Sequence, residues 1–304
     1  MKLKFTLLLA ALIAVFFSTS ALAENASSSG SNAAVPPITA ELKTLLGQAN
    51  KGDANAQYIL GLMYAIGEGV PKDAAQAVQW WQKAAAQGLA EAQYILGVMY
   101  ANGEGVPKDA AQAVAWYQKA AAQGYADAQF NLGVRYDDGV GVPKDAAQAV
   151  QWWQKAAAQE HTGAQFNLGL MYGKGEGVPK DDAQAVTWYQ KAAGQGLAAA
   201  QYNLGYMYAN GEGVPKDDTK AVAWYQQAAA QGYAKAQFNL GVMYYSGNGV
   251  PKDMVRAYVW FNLAAAQGDE QAKKARDLAE AELTPAQRAE GQRLSSNWKK
   301  GDTL

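Results

Sequence analysis

The chain has 304 residues, half of them apolar, no cysteine, and 26 Lys plus Arg against 27 Asp plus Glu, for a net charge of −1. The absence of thiols excludes disulfides, cysteine nucleophiles and cysteine metal sites. The near-neutral balance argues against nucleic acid, which selects basic patches or stripes.

Met1 to Ala23 reads as a secretory signal: Lys2 and Lys4, then a run from Phe5 to Phe17 that is almost wholly apolar, then Ala21-Leu22-Ala23 as a small-residue cleavage site. The run is short for a membrane span, and no cysteine follows it to carry a lipid. Cleavage after Ala23 starts the mature chain near Glu24 and, with two lysines gone, takes the net charge from −1 to −3. The mature protein is then expected to be periplasmic or secreted, with no membrane segment left. Residues 24–38 are rich in Ser, Asn, Ala and Pro and read as a disordered linker.

From there the chain repeats. Gly-Val-Pro-Lys-Asp starts at Gly69, Gly105, Gly141, Gly177, Gly213 and Gly249, each 36 residues after the last. A period in this range marks stacked supersecondary units. A stack grows along one axis and needs no second core, whatever its length. Six units are expected, at 56–91, 92–127, 128–163, 164–199, 200–235 and 236–271. Residues 39–55 match a second helix alone and read as an N-terminal half-repeat. Residues 272–304 read as a helical cap, with Thr284 and Pro285 opening a last helix that covers the end of the stack.

Each unit reads as two helices. In the first, Ala92, Leu96 and Tyr100 share a face at i, i+4, i+8. Gly97 sits beside them, and its recurrence every 36 residues suggests that a neighbouring helix comes too close for a side chain. The helix should stop near Gly103-Glu104-Gly105, where glycine takes the left-handed conformation. Asp109 then caps the second helix, and Gln112 three residues on completes a capping box. Lys220 and Arg256 replace that glutamine in the last two units, so those caps should be weaker by some tenths of a kcal/mol. In the second helix Ala113, Trp116 or Tyr117, Ala120 and Ala121 form the apolar face, the aromatics supplying most of the buried area.

Ala92, Leu96-Gly97, Tyr100, Gly103, Gly105-Val106, Asp109, Ala113, Trp116-Tyr117, Ala120-Ala121 and Gly124 together resemble the Sel-1-like repeat family, relatives of tetratricopeptide repeats. The resemblance covers about residues 39–271. It implies an all-α fold: a right-handed α/α superhelix, or solenoid, of 36-residue helix-turn-helix repeats with a concave face. It also implies an adaptor that scaffolds complexes, in bacteria within the envelope or against a host. Some secreted members pin their helices with disulfides, which this chain lacks. Its third unit departs from the pattern at Glu160-His161-Thr162-Gly163.

The expected partner is a protein or peptide in the concave groove. One position of the first helix is Ile59 and Ile95, then Asn131, Asn167, Asn203 and Asn239. An asparagine ladder offers a donor and an acceptor per repeat to an extended backbone; equally, it ties neighbouring helices together. Arg135 stands where other units carry methionine, with Asp138 three residues on and Asp137 next to it. They read either as a charged spot on the concave face, with His161 nearby, or as a surface ion pair worth under about 1 kcal/mol. The aromatics and carboxylates raise two other readings. A peptidoglycan or glycan binder would stack sugars on the aromatics, most of which the core claims. A cell-wall hydrolase would need a nucleophile and base, paired carboxylates or a metal. The chain has one histidine, and its recurrent aspartates serve as caps. No catalytic residue, cofactor or metal is assigned, and the oligomeric state is left open.

Overall fold

A computed structural model describes residues 40–304. The expected leader, the linker and the first residue of the half-repeat lie outside the described residues. Among the described residues there are fifteen α-helices and no strand. They are α1 (Ala40–Asn50), α2 (Ala54–Ile66), α3 (Ala74–Ala86), α4 (Ala90–Asn102), α5 (Ala110–Ala122), α6 (Ala126–Asp138), α7 (Ala146–Ala157), α8 (Thr162–Lys174), α9 (Asp182–Gly194), α10 (Ala198–Asn210), α11 (Asp218–Ala230), α12 (Ala234–Ser246), α13 (Met254–Ala265), α14 (Glu270–Ala281) and α15 (Pro285–Asn297). Pairs α2/α3 to α12/α13 form a helical solenoid of 36-residue units, as the period predicts.

The pair α4/α5 shows why the sequence folds this way. Gly103 ends α4 in the left-handed region, φ 80°, and its N–H donates to Met99 O at 2.8 Å. Gly105 is also left-handed, and a Cβ there would lie 2.3 Å from Ala74 O of the preceding repeat. The second glycine is therefore a seat for the neighbouring unit as well as a turn residue. Asp109 caps α5 by accepting from the N–H of Ala111 and Gln112, both at 3.0 Å.

The expected capping box is not completed. The Asp109 N–H already donates to Tyr100 O at 2.8 Å, which leaves no donor for the Gln112 side chain. The same backbone bond recurs from Asp73 to Tyr64 through Asp253 to Tyr244. The reciprocal box is formed at Thr284 and Gln287, where α15 starts. Lys220 and Arg256 thus forfeit nothing: their N–H groups still bond Asp217 and Asp253 at 2.9 and 3.0 Å. Their side chains add ion pairs to those aspartates at 3.2 and 3.7 Å.

What crowds Gly97 is a ring. A Cβ there would meet Tyr117 at 2.5 Å. The equivalent glycines lie under Trp81, Trp153, Tyr189, Tyr225 and Phe261. The second aromatic of each doublet is thus a core residue, Tyr117 being 2% exposed, and in two doublets the first, Trp80 or Trp260, is buried as well. The first, Trp116, is half-buried with the Lys119 ammonium 4.0 Å from its ring centroid.

The first helices begin two residues before the expected start. Leu89, Tyr125, Leu197 and Tyr233 hold the N-cap positions with no side-chain cap bond. Tyr125 packs its ring on Tyr94 instead, at 5.1 Å between centroids. At the N-terminal end, Gln57 Nε2 donates to Ala49 O of α1 at 3.0 Å, the bond that Gln93 makes to Ala85 in α3. At the other end, α15 lies on α13, where Gly291 receives the Tyr258 ring and Asn262 bonds Ser295 at 3.0 Å. It does not lie across α14, whose Leu278 is left 65% exposed.

Candidate partner-binding face

Residues i, i+3 and i+7 of a helix share a face, and the first helices repeat that face every 36 residues. The asparagine row sits on it, half-buried at all four positions. Asn131 Nδ2 donates to Asp127 O at 3.0 Å and to the Tyr94 hydroxyl of the preceding repeat at 3.4 Å. Asn203 lies beside Tyr189, and Asn239 beside Tyr225 and Tyr202, again one repeat back. Burial pushes the Tyr189 phenol up to about 12, with the Asn203 amide pulling the other way. The row therefore ties repeats together. An amide has two N–H donors and an acceptor oxygen, and Asn131 Oδ1 has no partner among the described residues. Ile59 is half-buried, but Ile95 is buried at 7% and belongs to the core. The expected apolar end is thus narrower than two isoleucines.

Arg135 and Asp138 do not form an ion pair. The Arg135 side chain lies beside Tyr117 of the preceding repeat, and its Nε is buried without a partner among the described residues. Asp138 is exposed. His161 caps α8, with Nδ1 accepting from Ala164 N–H at 3.1 Å, and stacks on Phe130 at 4.4 Å between centroids. Its Nε2 faces Asp127 Oδ1 at 3.3 Å. Both ring nitrogens are therefore engaged in the joint between repeats. Among the described residues, no three His, Cys, Asp or Glu side chains could together hold a metal ion. No described helix is long and apolar enough to cross a membrane.

Two features escaped the sequence reading. The first is a row three residues beyond the asparagines: Leu62, Val98, Val134, Leu170, Tyr206, Val242 and Leu278, each 36 from the next. Its later members are open to solvent, Tyr206 at 44%, Val242 at 39% and Leu278 at 65%. The charges beside the row change sign along it. Glu91 and Asp127 stand seven residues before Val98 and Val134, and Lys235 holds the same place before Val242. Asp138 and Lys174 occupy one position in successive repeats.

The second is a buried amide chain. Gln57, Gln93, Gln129, Gln165, Gln201 and Gln237 are at most 6% exposed. Each accepts from the glutamine 30 residues later at the end of its own repeat's second helix, at 2.8–2.9 Å. Five of them donate back to a carbonyl closing the preceding helix, as Gln129 does to Ala121 O at 3.1 Å. Unpaired, each amide would cost about 1–3 kcal/mol. The signal was present in the sequence as a glutamine after Ala56, Ala92 and their equivalents.

The family model for the Sel1 repeat matches residues 54–89, 90–125, 126–161, 162–197, 198–233 and 234–269. No curated protein matches. Among solved structures, the fold is similar to c5321, a protective antigen present in uropathogenic Escherichia coli strains that displays an SLR fold. The TM-score is 0.78 and the identity 41%, over 85% of this chain and 56% of that one. This chain thus spans little more than half of c5321. It is also similar to a Sel1 repeat protein from Oxalobacter formigenes, with a TM-score of 0.67 and 34% identity, over 79% of this chain and 96% of the other.

Proposed function

Because the chain belongs to the Sel1 repeat family, whose members are generally protein-interaction scaffolds, we propose that it is an adaptor that takes an extended protein segment along the face of its first helices. The observation that carries this reading is the apolar row ending in Tyr206, Val242 and Leu278, three of the four large hydrophobic side chains exposed on the described residues. Contiguous exposed apolar surface marks interaction sites on soluble proteins. Beside it Asn131 Oδ1 offers an acceptor to a backbone N–H, its Nδ2 being held by Asp127 O and the Tyr94 hydroxyl. The change from Glu91, Asp127 and Asp138 to Lys174 and Lys235 suits a segment that is basic at one end and acidic at the other.

Export to the periplasm or beyond, and a role in the envelope or against a host, are part of the proposal. They are supported by the Met1–Ala23 leader and by the likeness to an antigen of uropathogenic strains. Glycan binding is favoured less, since Lys83, Lys119, Lys155 and Lys191 lie over the rings of Trp80, Trp116, Trp152 and Trp188, where a sugar would stack.

The test is affinity capture from envelope extract and from host-cell proteins, with residues 24–304 as bait. One parallel bait carries Asn131, Asn167, Asn203 and Asn239 changed to alanine, and another carries Tyr206, Val242 and Leu278 changed to serine. Circular dichroism first establishes that both fold. A partner held by the native bait and released by the serine bait supports the reading. A partner retained equally by all three places the site elsewhere and overturns it.

A further inference from the structure

We infer that Asn248 is a site of spontaneous deamidation, and that it reacts ahead of the other Asn-Gly pairs in the repeats. Three such pairs occur at the ends of first helices: Asn102-Gly103, Asn210-Gly211 and Asn248-Gly249. In the reaction the backbone nitrogen of the glycine gives up its proton to a base and bonds to the asparagine Cγ. The bond from Cγ to the side-chain nitrogen breaks, ammonia leaves, and a succinimide ring remains. Water opens the ring at either carbonyl, giving aspartate or isoaspartate. Glycine favours the attack because it has no Cβ to hinder the approach.

The three pairs are chemically the same and structurally different. Gly103 and Gly211 use their N–H as helix caps, donating to Met99 O and Met207 O at 2.8 and 2.9 Å. Asn102 and Asn210 are the last residues of α4 and α10, and their side-chain amides are engaged, with Glu104 at 3.1 Å and Tyr206 O at 3.0 Å. In both pairs the attacking nitrogen is tied up and the target is held. Asn248 lies beyond α12, one residue past its cap at Gly247. Its side chain is exposed. Neither that side chain nor the Gly249 N–H has a hydrogen-bond partner among the described residues. Attack at Asn102 or Asn210 must wait for the helix end to open, and attack at Asn248 need not.

The product matters because of where Gly249 sits. It is left-handed, φ 69°, and a Cβ on it would lie 2.3 Å from Asp218 O at the start of the preceding repeat's second helix. Isoaspartate adds a methylene to the main chain immediately before this contact and displaces it. Aspartate leaves the main chain unchanged and puts a carboxylate where Glu68, Glu104, Glu176 and Glu212 stand in other repeats.

The test uses the purified chain, aged in warm, mildly alkaline buffer, with peptide mapping by mass spectrometry and enzymatic detection of isoaspartate. A second sample is aged in denaturant. The expected result is that Asn248 converts about tenfold faster than Asn102 or Asn210 in the folded protein, and at a similar rate to them in denaturant. Equal rates in the folded chain, or a faster Asn102 or Asn210, overturn the inference. So does the same ranking in denaturant, which would make sequence context the cause. Asn248→Gln serves as the unreactive control, and any isoaspartate signal it retains must come from another site.

Discussion

Two joints of the solenoid do the same job with different residues. Between the second and third units the chain turns at Gln123-Gly124-Tyr125, and between the third and fourth at Gln159-Glu160-His161. At the first joint Gly124 takes φ 89° with open space around it, and Tyr125 opens α6 with no side-chain cap. At the second, Glu160 is forced to φ 63°, the one positive φ outside glycine among the described residues. A left-handed conformation costs an L-residue about 1–2 kcal/mol. The neighbours offset this strain. His161 supplies the side-chain cap that Tyr125 lacks, a bond worth about 1 kcal/mol. It stacks on Phe130, and Gly163 makes room, since a Cβ there would lie 3.1 Å from that ring. Gln195 Nε2 reaches back to Glu160 O at 2.9 Å, and Thr162 donates to Gln195 at 2.6 Å. The Gln195 bond has a counterpart at a glycine joint, Gln231 Nε2 to Gly196 O at 2.9 Å, so what the strained joint adds is the His161 cap and the Thr162 bond.

The largest effects should come from what the two joints share. Gly133→Val and Gly169→Val each drive a side chain into a buried ring, Trp153 or Tyr189, at about 2.5 Å. Each should cost about 3 kcal/mol by overpacking, and urea unfolding should show the two losses to be alike. A difference above about 1 kcal/mol would mean that the units around the joint are not equivalent in their cores. The amide chain should separate them. Gln129→Leu leaves the Gln159 amide unpaired and takes from Ala121 O one of its two donors, the Gly124 N–H remaining, for a loss of about 2 kcal/mol. Gln165→Leu should cost about half of that, because Gln195 keeps its bonds to Glu160 and Thr162.

The legible and the hidden parts of this molecule divide along the same line. Helix ends, the glycine notch and the aspartate caps could be read because each depends on a residue type that serves one local purpose. The capping box was misread because its competitor, the Tyr100 carbonyl, is brought to Asp109 by the path of the chain after α4. The glutamine chain was passed over because buried amides look like surface residues until the helices are packed. On the candidate face the asparagine row was visible as a change of residue type. Its contacts with tyrosines one repeat back were not, since they join positions 14 to 37 residues apart. The apolar row escaped because valine and leucine at helical spacing read as core until exposure is known. The third unit's Glu160-His161-Thr162-Gly163 was noticed as a departure, but its compensations needed Phe130, Asp127 and Gln195 in place.

Exchanging the turn residues tests the strain itself. Glu160→Gly should stabilise by about 1 kcal/mol, and Gly124→Glu should cost about 1–2 kcal/mol, having none of the ties around it. Hydrogen exchange at the starts of α8 and α6 reads each joint separately, which matters in a repeat array where unfolding need not be all-or-none. If Glu160→Gly proves neutral, the strain is absorbed by the Gln195 and Thr162 bonds, and the Gln195→Ala background should then restore the gain. His161→Asn should be milder than His161→Ala, since asparagine can still accept the Ala164 N–H; the gap should be about 1 kcal/mol.

The smallest effect belongs to Asp127→Asn, which removes the charge facing His161 and leaves the cap and the stack intact. The Asp127 side chain is half exposed, so solvent screens the pair and the loss should stay under about 1 kcal/mol. Hydrogen exchange at the start of α8 reads it: the native protein should protect the Ala164 N–H, which His161 Nδ1 accepts, slightly better than Asp127→Asn does. An Asp127→Asn exchange rate that matches the native one would show that His161 holds this joint through its cap and its ring alone.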